Sequence, residues 1–227
     1  PDDGLVGQRI FTRRDRLFCW GLTAVYTVVT LIGLGTTKAP ESYWYADQPG
    51  ASVTLAFEEP VAVDRMMVYG GIGDADIAIS YDDGRSTAFE VVNDNMFRWV
   101  AADAAFTAKT VTITLRHGQL WLNELAFFDA ENNLLTPTIQ GDTGTVEAHG
   151  AAALLDEQGT VPPEPHATNG MYFDELYHAR TAYEHLHGIK PYENSHPPLG
   201  KVFIMLGIAV LGMNPLGWRI VGALIGV

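Results

Sequence analysis

Apolar positions follow two different patterns along the chain, with uncharged runs near both ends and alternating positions between them. The first run, residues 17–35 (LFCWGLTAVYTVVTLIGLG), has 19 residues without a charge. As a helix it would be about 28 Å long, close to the thickness of a bilayer's hydrocarbon core. Four arginines precede the run, and the first cation after it is Lys38. The positive-inside rule therefore predicts a cytoplasmic segment over 1–16 and an outer location from residue 38 onward.

A cleaved signal peptide is the alternative interpretation of this first run. Its apolar region would be shorter, about 7–15 residues, and would be followed by an Ala-x-Ala-like site. No such site follows Gly35. The sequence therefore favours an uncleaved transmembrane helix over 17–35.

Alternating apolar and polar residues between 41 and 131 predict short β-strands. Residues 53–57, 77–81 and 110–115 place apolar side chains at every second position, which is the period of a strand with one buried face. Turn-forming residues at 82–84 and 117–118 separate these runs. We therefore predict an extracytoplasmic antiparallel sandwich over 41–131. The Pro-, Gly- and acid-rich residues 132–169 are predicted to form a linker.

The last 58 residues, 170–227, alternate between helical and apolar patterns. Residues 172–187 have apolar side chains at three- and four-residue spacing and are followed by Gly188, which predicts an amphipathic helix. Residues 199–212 are apolar except for Lys201 and are too short to cross a bilayer, which favours an interfacial helix. A further apolar run opens near Trp218 and continues to the last residue. It predicts the start of a second transmembrane helix.

The predicted fold class is therefore mixed: a transmembrane helix, an inserted all-β jelly-roll sandwich, juxtamembrane amphipathic helices, and the beginning of a further transmembrane helix. Because the chain starts without Met and stops within an apolar run, we expect it to be a piece of a longer protein.

The charge of the chain argues against nucleic acid as a partner. The formal net charge is −13, and residues 36–198 hold 24 of the acids but only 8 of the basic residues. Such a segment repels phosphate backbones. The single cysteine, Cys19, provides neither a disulfide framework nor a zinc cluster of Cys type.

Acids and cations in the C-terminal region are the candidates for chemistry. Asp174 and Glu175 lie near the start of the predicted helix, where the helix dipole stabilises solvated acids in any case. The sequence HPPLGK at 196–201 combines a rigid Pro-Pro entry with the free N–H groups of a helix start. With Lys201 beside them, these groups could bind a phosphate. Alternatively, Lys201 only extends to lipid headgroups. The residues alone leave both interpretations open.

Three motifs in this region together resemble the protein O-mannosyltransferase family and, more broadly, the phospholipid-carrier-dependent glycosyltransferases of the GT-C type. They are MYFDELYHARTAYE at 171–184, HPPLGK at 196–201 and NPLGWR at 214–219. The resemblance implies that Asp174 is the catalytic base, with Glu175 as a second acid that orients the acceptor. It implies contacts to the donor phosphate from the following cations: His196, Lys201, Arg180 and Arg219.

The resemblance also implies the partners and the location. They are a polyprenyl-phosphate-linked sugar donor, with mannose as the first choice, a protein or glycan acceptor, and the lipid bilayer of a bacterial-type plasma membrane with the active site outside. The alternatives are a membrane-anchored carbohydrate-binding module without catalysis, and a GT-C enzyme that transfers another sugar to a lipid or polysaccharide. No cofactor and no metal site are expected, since Asp174 and His178, four residues apart, supply only two ligands.

The alternating region resembles the galactose-binding-like jelly roll of discoidin. The matching pieces are IAISYDDG at 77–84, VTITL at 111–115 and LWLNEL at 120–125, together with Trp99. Trp44, Tyr45 and Trp99 are candidates for stacking on a sugar ring, although a sandwich core also needs aromatic residues.

Overall fold

The computed structural model describes residues 12–91, 95–102, 105–144 and 149–226. One helix precedes the strands in the sequence, α1 (Arg13–Leu31), and three follow them: α2 (Glu175–Leu186), α3 (Pro198–Leu211) and α4 (Pro215–Ile225). The strands are β1 (Trp44–Ala46), β2 (Ser52–Val63), β3 (Arg65–Gly70), β4 (Asp74–Tyr81), β5 (Ser86–Val91), β6 (Trp99–Ala102), β7 (Phe106–Phe128), β8 (Leu134–Leu135) and β9 (Thr138–Asp142). Two 3₁₀ turns follow at Ala151–Leu154 and Gln158–Thr160.

The long strand β7 belongs to both sheets of an antiparallel sandwich. Its first half lies between β4 and β2 in a sheet of order β5-β4-β7-β2-β9. Its second half pairs with β3 on one side and with β1 and β8 on the other, and β6 extends that second sheet beyond β3. The change of sheet falls near Gly118, whose φ is +85°. A Cβ there would lie 1.9 Å from the carbonyl oxygen of Asp74, so the position requires glycine.

The second sheet is buried on both faces, so the fold has three layers. Met66 and Val68 of β3 point into the core between the sheets, whereas Met67 and Tyr69 point to the helices. The helices cover that outer face with the following buried side chains: Met171, Leu176, Ala179, Ala182, Ile208, Met213 and Trp218. The second sheet therefore separates two packed cores, one between the sheets and one beneath the helices.

The helical layer is closely packed where α3 meets α4. A Cβ on Gly207 would lie 2.2 Å from the carbonyl oxygen of Gly217, so the two helices approach at backbone distance. Asn214 caps α4 by accepting a hydrogen bond from Gly217 N at 2.9 Å. Gly212, with φ +84°, ends α3.

The predicted transmembrane helix over 17–35 is wrong. The helix begins at Arg13 because Thr12 and Asp15 form a capping box, in which Asp15 N donates to Thr12 Oγ1 at 3.2 Å. Its first turn is therefore charged, and it ends at Leu31, which leaves an uncharged helical part from Leu17 of only about 22 Å. Within the described ranges, no helix is long and apolar enough to cross a membrane. Of the predicted cytoplasmic segment 1–16, residues 1–11 lie outside the described part.

The predicted start of a further transmembrane helix near Trp218 is likewise not seen, since no helix in the described part of the chain could cross a membrane. The helix that contains Trp218 has 11 residues, Pro215–Ile225, and α3 has 14; Val227 lies outside the described residues. The antiparallel sandwich was predicted correctly. Its galactose-binding-like type and the domain boundaries stay predictions. The segment predicted as a linker, 132–169, contains β8 and β9 and places Leu154 in the core between the sheets.

Candidate functional site

The start of α2 presents a carboxylate without a partner. Asp174 is the N-terminal cap residue of α2, but its side chain makes no capping hydrogen bond. The residue is exposed, and its carboxylate accepts no hydrogen bond from the described part of the chain, whereas its backbone carbonyl accepts from Tyr177 N and His178 N. The preceding Phe173 is 77% exposed and has a left-handed φ of 49°, which is strained for a residue with a side chain. Strained backbone of this kind is frequent at functional sites.

Asp174 lies at the edge of a largely apolar cleft of about 460 Å³. The polar lining comes from Asp174, Glu175, His178 and Arg219. The apolar lining comes from four helices: Thr30 and Leu34 at and after the end of α1, Ala179 of α2, Ile204 of α3, and Trp218, Gly222 and Ala223 of α4. An apolar groove with a few polar groups is suited to a ligand that joins a hydrocarbon chain to a polar head.

Arg219 holds the parts around this cleft together. Its Nε donates to Glu175 Oε1 and its Nη2 to Glu175 Oε2, both at 2.6 Å. The same guanidinium donates to the backbone carbonyls of Leu34, Ala167 and Gly170 at 2.8–3.2 Å. Glu175 and Arg219, which the sequence predicted to contact the substrates, therefore have their polar atoms bonded within the protein. The geometry makes this pair an anchor between α4 and α2.

Glu193 contacts two of the predicted phosphate-binding residues, His196 and Lys201. Its carboxylate pairs with the ammonium of Lys201 and with His196 Nδ1, the latter at 3.1 Å. It also accepts hydrogen bonds from the backbone N–H groups of Ser195 and His196. Lys201 is only 2% exposed, and its Nζ donates to the carbonyl of Glu193 as well, at 2.7 Å. Lys201 first, with the hydroxyl of Ser195 next, holds the pKa of Glu193 well below its usual range.

His178 connects Asp174 with the residues around Glu193. Its ring lies edge-on to that of His196, with 4.7 Å between the centroids. Burial is the main cause that lowers the pKa of His178, and the positive charges of His196 and Lys201 lower it further. Asp174 and Glu193 oppose that shift through their negative charges. His178 is therefore a neutral imidazole at neutral pH, placed between the exposed carboxylate and the cations.

Arg180, predicted to contact the donor phosphate, lies in a buried ion pair with Glu184. Its Nε donates to Glu184 Oε1 at 2.7 Å, and its guanidinium lies 4.0 Å from the ring centroid of Tyr192. Glu184 Oε2 in turn accepts from the backbone N–H of Tyr192 at 2.7 Å. Arg180 and Glu184 are both buried. The pair fixes the loop between α2 and α3, which carries Glu193 and His196.

No metal site is predicted from the sequence, but three side chains near the cleft could act as ligands. His178, Glu193 and His196 offer one ligand atom each, all within 4.8 Å of one another. The ammonium of Lys201 already neutralises the Glu193 carboxylate in this arrangement. Two imidazoles and one carboxylate form a common set of zinc ligands, but the adjoining ammonium opposes a second cation.

Trp44 and Trp99, two of the aromatics predicted to stack on a sugar, do not present open ring faces. Trp44 is 0% exposed and lies in the core between the sheets, where its Nε1 donates to Asp142 Oδ1 at 3.1 Å. Trp99 is 2% exposed and packs on Tyr69 under the helices. Tyr45 is half-buried. These two tryptophans therefore have packing roles, which was the other interpretation of the sequence.

The structure thus places Asp174, His196 and Lys201 near enough to His178 to shift its pKa. Glu175, paired with Arg219, lines the same cleft as Asp174 and His178. Arg180, Trp44 and Trp99 lie elsewhere. Glu193 was missed by sequence reasoning. The available signal was an acid three residues before His196, in a loop that ends at a lysine-bearing helix.

Comparisons with known proteins give partial matches only. No protein-family model matches the chain, and no solved structure gives a significant match. A polyprenol-phosphate-mannose–protein mannosyltransferase of Mycobacterium tuberculosis is 43% identical over 61 residues, which cover 24% of this chain and 12% of the relative. The protein of the same name from Mycolicibacterium smegmatis is 41% identical over 61 residues, which again cover 24% of this chain and 12% of the relative. The matched region therefore spans about an eighth of the length of these curated relatives.

Proposed function

We propose that this chain carries part of the active site of a glycosyltransferase that moves a sugar, with mannose as the first choice, from a polyprenyl phosphate to an acceptor hydroxyl of a protein. The partial similarity to proteins named polyprenol-phosphate-mannose–protein mannosyltransferase supports the reaction class. The observation that carries the proposal is the exposed, unpartnered carboxylate of Asp174 at the edge of an apolar cleft.

Asp174 acts as the general base in this proposal. The acceptor oxygen attacks the anomeric carbon of the donor, and its proton passes to the Asp174 carboxylate. The bond between the anomeric carbon and the phosphate oxygen breaks, and the polyprenyl phosphate leaves with the bonding electrons, so that the configuration is inverted. A carboxylate without internal hydrogen bonds is suited to this role, because all its lone pairs remain available to the acceptor.

His196 makes the contact to the leaving phosphate, and Lys201 positions it. His196 is exposed, and its Nδ1 is directed at Glu193, which leaves Nε2 for the ligand. The ring donates its Nε2–H to the phosphate while Nδ1 faces Glu193. Lys201 is buried against Glu193 and acts through it. The apolar cleft lined by α1, α3 and α4 takes the first part of the polyprenyl chain.

Replacing Asp174 with asparagine in the complete gene product tests the proposal. Membranes containing the variant are incubated with labelled polyprenyl-phosphate mannose and an acceptor protein. We expect kcat to fall by about 100-fold or more, because general-base catalysis contributes about 10²–10⁴-fold. Asp64→Asn is the matched control, since Asp64 is also exposed but lies between β2 and β3 of the sandwich. Turnover near the wild-type value in Asp174→Asn would refute the base assignment.

A further inference from the structure

A second cleft lies between the outer face of the second sheet and the helices. It has a volume of about 360 Å³, and four aromatic residues line it: Tyr43, Phe97, Trp121 and Tyr183. The Tyr43 ring meets Trp121 edge-on, with 4.1 Å between the centroids and 81° between the planes. We call this site the aromatic cleft. Its volume lies in the lower part of the range of about 300–1,000 Å³ that is typical of small-molecule sites.

Two buried polar atoms at the aromatic cleft have no partner in the protein. Asn123 is 4% exposed; its Nδ2 donates to the Ser42 carbonyl at 2.9 Å, but its Oδ1 accepts no hydrogen bond from the described residues. The Nε1 donor of Trp121 is likewise buried and unpartnered there. Buried polar groups are nearly always satisfied in folded proteins, so an acceptor and a donor left together in a cleft point to a ligand.

Gly71 packs closely against these two residues. A Cβ at this position would lie 2.8 Å from Asn123 Oδ1 and 3.5 Å from the Trp121 ring. The φ of Gly71 is not positive, so its backbone conformation does not require glycine. Glycine at this position is therefore explained by the close approach of the backbone to Asn123 and Trp121.

The wall of the cleft also contains strained backbone. Phe97 has a φ of 49° and is 4% exposed. Its N–H donates to the Gly70 carbonyl at 2.7 Å, and its own carbonyl accepts from Met171 N at 3.1 Å. These two bonds join the sheet to the segment before α2 and hold the strained residue in place. Such strain persists only where surrounding contacts fix it, and it is concentrated at ligand sites.

The polar groups of the cleft select a neutral ligand rich in hydroxyl groups. A hydroxyl both donates and accepts, so adjacent hydroxyls can satisfy the acceptor of Asn123 and the donor of Trp121 together. Burial raises the pKa of Tyr43, whose hydroxyl already bonds with His149 Nε2 at 3.1 Å. Burial also raises the pKa of Tyr183 to about 12, so this phenol stays protonated and able to donate. Glu41 at the rim carries a negative charge that repels phosphate and carboxylate groups.

We propose that the aromatic cleft is a carbohydrate site that binds a neutral pyranose ring, with Asn123 Oδ1 and Trp121 Nε1 bonded to its hydroxyls and its C–H faces against the aromatic walls. The site is distinct from Asp174. Tyr183 is nine residues further along α2, which corresponds to about 14 Å of helix. The cleft binds its ligand whether or not the chain takes part in sugar transfer.

Titration of the chain with methyl glycosides tests this proposal. Methyl α-D-mannopyranoside, β-D-galactopyranoside and β-D-glucopyranoside are compared by saturation-transfer NMR and calorimetry. We expect at least one to bind, with Trp121→Phe weakening it by about 3- to 10-fold through loss of one hydrogen bond. Tyr183→Phe provides a second variant that keeps the ring and removes its hydroxyl. Trp20→Phe is the matched control, because Trp20 is 71% exposed on α1, and it should bind as the wild type.

The outcomes separate the alternatives. Absence of binding for all three glycosides at concentrations well above about 10 mM would overturn the proposal. Unchanged affinity in both Trp121→Phe and Tyr183→Phe, with folding verified by circular dichroism, would overturn it as well. Mannose 1-phosphate should bind more weakly than methyl mannoside because of Glu41. Tighter binding of the phosphate would contradict the neutral-ligand assignment.

Discussion

Replacing Glu124 with glutamine should remove a loss of stability that the wild-type chain undergoes between pH 7 and 9. Glu124 is 0% exposed and lies opposite Tyr69 on the second sheet. Burial, with a smaller contribution from the nearby acids Asp156 and Glu157, raises its pKa from 4.5 to about 8. Hydrogen bonds from Gln158 Nε2 and from Glu157 N, the latter at 3.2 Å, lower the pKa only in part.

The sign follows from proton binding. Because the pKa of Glu124 is higher in the folded state than in the unfolded state, the folded chain holds the extra proton between pH 4.5 and 8. The stabilisation that comes from this raised pKa has its full value below pH 4.5, and it is lost as the pH rises through 8. A pKa of about 8 gives a decrease of about 1.4 kcal/mol from pH 7 to pH 9. Below pH 7, His178 acts in the opposite direction because its pKa is lowered. Tyr183, with a pKa of about 12, stays protonated throughout.

Urea unfolding at pH 7, 8 and 9 measures this difference. The wild type should lose about 1.4 kcal/mol, whereas the free energy of unfolding of Glu124→Gln should vary by only a few tenths of that amount. Glu90→Gln is the matched control, since Glu90 is exposed at the sheet edge, and it should retain the wild-type slope. If Glu124→Gln keeps that slope, or if wild-type stability rises with pH in this window, the assignment of a protonated buried Glu124 is wrong.

Two further predictions concern the candidate active site. Arg219→Lys should lower the free energy of unfolding by about 2–3 kcal/mol in urea titrations, because a lysine cannot replace the bidentate pair with Glu175 and the carbonyl contacts. The control is Arg85→Lys, in an exposed pair with Asp83, which should lower it by less than about 1 kcal/mol. Equal effects of the two changes would refute the anchoring role of Arg219. His196→Gln should lower kcat/KM for the polyprenyl-phosphate donor by about 100-fold; the exposed His166→Gln is its control, and an unchanged kcat/KM would exclude the phosphate contact.

The strands were visible in the sequence because a half-buried strand has a local period of two. The end of β7 also contained a signal for burial on both faces, since LWLNELAFF at 120–128 is almost continuously apolar. The first helix was misjudged because a count of uncharged residues ignores where the backbone starts and stops. Thr12 and Asp15 start the helix among arginines, and it has ended before Gly33, whose φ is +70°.

The site was only partly predictable for a different reason. Asp174, His178, His196 and Lys201 could be chosen from local motifs. Glu175 and Arg219 are 44 residues apart, and their pairing depends on how α4 packs on α2. The contact between Glu193 and Lys201 likewise depends on the path of a loop with no regular period. Sequence spacing indicates which side chains share a helix face, but it does not show which charges neutralise each other across helices.

The two clefts are coupled through one helix, which determines what a change in either can do. Asp174 and His178 lie at the first turn of α2, and Tyr183 lies near its end. On the same helix, the buried pair of Arg180 and Glu184 holds the loop that carries Glu193 and His196. The opposite side of α2 packs on a sheet that is itself buried on both faces. Separating the sandwich from the helices would expose that sheet. A substitution that loosens α2 from the sheet is therefore expected to disturb both clefts.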